Sequence, residues 1–108
     1  MLFDTQTLTR IVERSFDLSM SGALPQETRA EYLAHGKRLR ELLMRLLGAR
    51  FDADSAEFKR ATDAMHETNH ALTEAADDLN KISQAVGRLT ELAGYLDKAL
   101  KVAGRVLT

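Results

Sequence analysis

In this 108-residue chain, His66-Glu67-Thr68-Asn69-His70 is the stretch whose residue types and spacing come nearest to a catalytic chemistry. On a helix, side chains at i and i+4 lie one turn apart on one face. His66 and His70 can therefore offer two imidazole nitrogens to a single zinc ion, while Glu67 activates a water bound to it. Asp63, one turn earlier, adds a carboxylate to the same side, so the trio could catch zinc or nickel adventitiously. A working zinc centre needs a third protein ligand and a shaped, partly dry cavity. His35 stands alone beside Gly36 and suggests no ligand set.

Taken alone, the pentapeptide resembles the H-E-x-x-H signature of the zincin metalloproteases. That resemblance implies zinc as cofactor, His66 and His70 as ligands and Glu67 as general base of a hydrolase. The metzincin extension places glycine and histidine three and six residues after the second histidine, where this chain has Thr73 and Ala76. Glu91 stands at the distance of a gluzincin-like third ligand. Zincin sites also border a strand, and the sequence shows none. His66 and His70 fall on the outward side of their helix, so the expectation is a surface pair without catalytic role. No glycine-rich phosphate loop is present, and the serines sit in no nucleophile setting.

The element that must position these residues carries a hydrophobic repeat with alternating steps of three and four. It reads Phe58, Ala61, Met65, Thr68, Leu72, Ala75, Leu79, Ile82, Val86, Leu89, Ala93, Leu96, Leu100, Ala103, Leu107. A two-stranded coiled coil carries charges on both flanks of such a seam. Here the flanks are mostly small or apolar (Ala64, Ala71, Ala85, Leu92, Ala99), which is the wider stripe of a helix buried in a bundle.

Two shorter helices precede it. The first, near 5–20, starts with Asp4 as its cap and Phe3 stapled on Leu8, and buries Leu8, Ile11, Val12 and Phe16. The second, near 25–47, has Pro25 in its first turn, a seam of Tyr32, Gly36, Leu39, Leu43 and Leu46, flanking Leu33, Leu42, Met44 and Leu47, and Gly48 as C-terminal cap. Asp54 with Glu57 makes a capping-box-like start for the third, near 55–106. The expected fold is a single all-α domain over 1–108: an antiparallel bundle of three helices, the last long and heptad-patterned. A break into a fourth helix near 75–80, around Ala75-Ala76-Asp77-Asp78, is the alternative. Unbroken, the last helix would be roughly 80 Å long, and the first two, at roughly 24 and 35 Å, would cover it only end to end.

Charge is segregated. Residues 25–50 carry six cations against three anions, a net of +3, and residues 52–78 carry eight acids against two bases, a net of −6. If the two helices lie side by side their fields complement each other. With a net charge of −1 overall, nothing draws the whole chain to nucleic acid, and Glu41 interrupts the patch formed by Lys37, Arg38, Arg40 and Arg45. The chain has no cysteine, no basic region followed by an apolar run at its start, and no stretch long and uncharged enough to span a bilayer. These features fit the cytoplasm.

The expected function is a small interaction or regulatory protein acting through helix packing, on itself or on a protein target. A minimal zinc hydrolase at 66–70 and a peripheral membrane-binding bundle, using the Lys- and Val-containing segment 81–108, are the alternatives. An unbroken last helix would leave Ile82, Val86, Leu89, Leu92, Leu96 and Leu100 bare, and a second chain packed antiparallel would cover them in a dimer.

Overall fold

The computed structural model describes residues 2–107, except the side chains at positions 79 and 104–107. It is all-helical. Helix α1 is Thr5–Ser19, α2 is Gln26–Leu46, α3 is Ala56–Asp77 and α4 is Ile82–Leu107, with one 3-10 turn, Leu79–Lys81, leading into α4. Among the described residues there is no strand, only an isolated bridge between Leu2 and Arg50.

The capping chemistry accounts for most boundaries. Asp4 accepts hydrogen bonds from the Thr7 backbone N–H (3.1 Å) and hydroxyl (2.7 Å), and Phe3 and Leu8 are both buried. Pro25 sits just outside α2 as its N-cap, where its missing N–H removes nothing from the helix. At the other end the Leu47 N–H donates to the Leu43 carbonyl, and Gly48 turns the chain with φ of 81°, a left-handed conformation that glycine adopts without Cβ strain. Helix α3 begins one residue later than the Asp54–Glu57 pattern indicates. The Asp54 N–H is held by Asp52 Oδ1 at 2.9 Å inside a turn, and Ser55 is the cap, its hydroxyl accepting from the Phe58 N–H at 3.2 Å.

The long helix is broken, and the three-helix arrangement is replaced by four. Asp78 leaves the helical region, with φ −138° and ψ 106°, and its carboxylate accepts from the Asn80 N–H at 3.0 Å. This local side-chain bond gives the backbone an alternative to the helix. The turn is completed by the Lys81 N–H donating to the Asp78 carbonyl at 3.0 Å. Folding back also lets α4 bury its apolar face on α3 instead of exposing it.

Helices α1 and α2 form one hairpin and α3 and α4 a second. The hairpins meet through α1 on α3 and α2 on α4, while α1 and α4, and α2 and α3, make no contact among the described residues. The linker from α2 to α3 therefore crosses the bundle diagonally. At its midpoint Phe51 packs with Phe3 and Phe58, with ring centroids 5.5 to 6.2 Å apart, closing that end. The molecule measures 46 × 20 × 19 Å along its principal axes.

The seam residues from Phe58 to Ala75 are buried, as are Ile82, Leu89, Ala93, Leu96 and Ala103, with Val86 and Leu100 half-buried; Leu79 and Leu107 lie outside the described side chains. The flanking Ala64, Ala85, Leu92 and Ala99 are buried too, so the wide stripe faces neighbours on two sides. In the first hairpin Ser15 replaces Phe16 at the centre of α1, its hydroxyl bonded to the Ile11 carbonyl, and the Phe16 ring lies against Gly36 instead. Two buried side-chain bonds tie elements together: Tyr32 donates its hydroxyl proton to the Ile82 carbonyl (2.9 Å), and the Thr68 hydroxyl lies 2.7 Å from the Ala64 carbonyl and 3.3 Å from that of Arg88.

Candidate functional site

The H-E-x-x-H residues lie on α3, with Glu67 and His70 lining the α3–α4 groove and His66 outside it. Thr68, in the middle of the motif, is the residue that points into the core, which turns Glu67 and His70 toward α4 and His66 toward α1. A groove of about 480 Å³ between α3 and α4 is lined by Glu67, His70, Glu74, Gln84, Arg88 and Glu91. His66 does not line it. His66 lies instead near Asp4, whose carboxyl is held below its ordinary value chiefly by the Thr7 hydroxyl, with a smaller contribution from the His66 charge.

The groove is organised around Arg88, a residue that the motif-based reading does not weigh. Its Nη1 lies 3.2 Å from Glu67 Oε2 and 3.6 Å from Glu91 Oε2. The cation between the candidate base and the candidate third ligand is thus the chain's own guanidinium. His70 Nε2 lies 2.8 Å from Glu74 Oε1, and Lys81 Nζ lies 3.1 Å from the other oxygen of the same carboxylate. The Lys81 hydrogen bond, followed by its charge, holds the Glu74 carboxyl below the usual range. Among the described residues no three His, Asp or Glu side chains stand close enough together to hold a metal ion. These side chains are open to solvent, His70 at 76% exposure, so the geometry is that of a ladder of screened ion pairs across the α3–α4 seam.

The expected interaction strip is spent inside the chain. Ile82, Leu89, Leu92 and Leu96 are buried, and Val86 and Leu100 pack half-buried against the same core. The bare strip on which the antiparallel dimer was expected therefore does not exist in the folded-back chain. Nor do the basic and acidic segments neutralise each other, since α2 and α3 occupy opposite corners of the bundle.

A different surface emerges on α2. Of its apolar side chains, Tyr32, Leu39, Leu42 and Leu46 are buried, but Leu33 and Met44 are 39 and 63% exposed, and Leu47, the cap just past its end, is 54% exposed. With Lys37 and Arg40, both exposed, they follow the spacing 33, 37, 40, 44, 47, which is one line along the outside of the helix. Among the described residues no ion pair engages Lys37, Arg38, Arg40 or Arg45, in contrast to the paired charges of α3 and α4. The spacing was present in the sequence. It was hidden because α2 has more apolar residues than one seam requires, and only packing decides which stay out.

His35, half-buried between α2 and α4, lies 3.5 Å from the Thr90 hydroxyl, and burial lowers its pKa. No helix among the described residues is long and apolar enough to cross a membrane. No protein-family model, curated protein or solved structure shows significant similarity to the chain.

Proposed function

We propose that this protein is a small helical interaction module that works by binding rather than catalysis, and that its binding face is the outer line of α2. The observation that carries this reading is the exposure of Leu33, Met44 and Leu47 in register with Lys37 and Arg40. Large apolar side chains on one line of a soluble helix mark a contact surface when they cluster, and free cations among them select an acidic partner. Met44 adds a flexible, polarisable contact suited to such a surface.

The test is affinity capture with the full chain against a Leu33→Ser/Met44→Ser variant, with circular dichroism confirming equal helicity. Both positions are outside the core, so the fold is expected to survive. A partner retained by the unaltered chain and lost from the variant supports the reading. A partner retained equally by both, but lost from Arg88→Ala, would move the site to the α3–α4 groove and refute it.

A further inference from the structure

The partner chemistry that fits α2 is present on the same molecule. Helix α2 carries five cations against three anions, a net of +2, and α3 carries five acids against two bases, a net of −3, with Glu67 and Glu74 paired to Arg88 and Lys81. Among the described residues helices α2 and α3 make no contact, because they stand at opposite corners of the bundle. Each chain therefore displays a basic, partly apolar face on one corner and an acidic face on the opposite corner, across a section of 20 × 19 Å. On the acidic corner Asp63 and Asp77 are exposed and, among the described residues, in no ion pair. On the basic corner Lys37, Arg38, Arg40 and Arg45 are likewise free of ion pairs.

We propose that the occupant of the α2 face is the α3 face of a second copy of this chain. The proposal rests on the reading of α2 as the binding face and adds the identity of what binds there. Opposite signs attract across the contact, and Leu33, Met44 and Leu47 lose water on docking. The geometry also fixes the symmetry. A two-fold axis through the contact would set α2 on α2, placing like charges together. Basic-on-acidic contact is heterologous, so each added copy presents a fresh face and assembly is open-ended unless a ring closes. Because the attraction is between exposed charges, it is salt-labile.

Sedimentation velocity of the full chain tests this at about 10 mM salt, where the screening length is about 30 Å, and at about 1 M, where it is about 3 Å. The expected result is a weight-average mass that rises with concentration past twice the 12.0 kDa monomer at low salt and returns to the monomer at high salt. Lys37→Glu/Arg40→Glu removes the basic face, and Asp63→Lys/Asp77→Lys the acidic one. Each alone is expected to stay monomeric. Mixed one to one, each variant's intact face meets the intact face of the other and the two reversed faces again carry opposite signs, so association is expected to return. Arg10→Glu/Lys98→Glu, which makes the same change in net charge on α1 and α4, is expected to associate as the unaltered chain does.

A monomer at every salt and concentration overturns the proposal, as does a mixture that stays monomeric or a control variant that loses association. If the chain stays monomeric but sediments with anionic vesicles, and Lys37→Glu/Arg40→Glu abolishes this, the occupant is a lipid surface and the self-contact is overturned. If self-association is absent while capture of another protein still depends on Leu33 and Met44, the α2 reading stands and only the second copy is overturned.

Discussion

Three helical glycines offer one substitution in two environments. A Cβ built on Gly87 or Gly94 of α4 meets nothing within 4 Å, whereas one built on Gly36 of α2 comes within 3.1 to 3.3 Å of the Phe16 ring. Alanine is favoured over glycine inside a helix by about 0.8–1 kcal/mol, largely because glycine loses more backbone freedom on folding. At Gly87 and Gly94 nothing opposes that gain. The sites are seven residues apart, roughly 10 Å along the helix, so the double variant should add nearly independently to about 1.5–2 kcal/mol. On a domain of this size each kcal/mol raises Tm by roughly 4–8 °C. At Gly36 the same gain is set against a squeeze on an aromatic ring, and overpacking costs about 1–3 kcal/mol, so the net expectation is a loss of about 0–2 kcal/mol. Urea unfolding with a common m-value reads all three. The reasoning fails if Gly36→Ala stabilises as much as the α4 variants, which would mean Phe16 is not packed there, or if Gly87→Ala destabilises, which would mean a neighbour fills that space.

Other outcomes follow from single features. Tyr32→Phe removes one buried hydrogen bond to a helical carbonyl and is expected to cost about 0.5–1.5 kcal/mol in thermal or urea unfolding; an unchanged midpoint would count against the bond. Leu89→Ala should cost about 2–5 kcal/mol as a fully buried large-to-small change. Gln84→Ala, at an exposed position, should stay within about 0.5 kcal/mol, and equal effects at the two sites would contradict the burial pattern. His35 has a folded pKa below its ordinary value, so between the two values the unfolded chain binds more protons, and stability falls as pH drops below about 6.5. His35→Gln should flatten that limb of the stability profile, and an unaltered limb would refute the assignment. Chelation should leave the melting curve and the helicity unchanged. Stoichiometric zinc surviving chelator washes, with peptidase activity lost in Glu67→Gln, would overturn the ion-pair description of the groove.

Much of the fold was legible in local chemistry. Asp4, Phe3 with Leu8, and Gly48 announce helix ends because caps act within a few residues. The buried side of residues 58–103 was readable from spacing, since burial follows helical phase even across the break. The Asp54 cap was misplaced by one residue because Asp52, Asp54 and Ser55 all compete for the same few N–H groups. The break at Asp78 had a signal in Asp77, Asp78 and Asn80, residue types whose side chains compete for nearby backbone groups, as Asp78 does here. Only the competition with a bare apolar face decides it. The two charged segments do not lie side by side, for a reason of magnitude. Exposed complementary charges contribute a fraction of a kcal/mol per pair, far less than the packing of Leu and Ala stripes that sets which helices touch. That Glu67 and His70 line the groove while His66 does not is likewise a tertiary result, fixed by Thr68 pointing inward.

The diagonal linker has a consequence for how the chain reaches this state. Each hairpin joins helices adjacent in sequence, so its contacts close over short loops, whereas the contacts between hairpins must wait for the linker to bring two formed units together. Tyr32 to Ile82 is such a late contact. Gly36 against Phe16 is an early one, inside the first hairpin. Substitutions at the first should therefore act mainly on the unfolding rate, and those at the second mainly on the folding rate, dividing the kinetics of a small helical domain along the same line that divides its architecture.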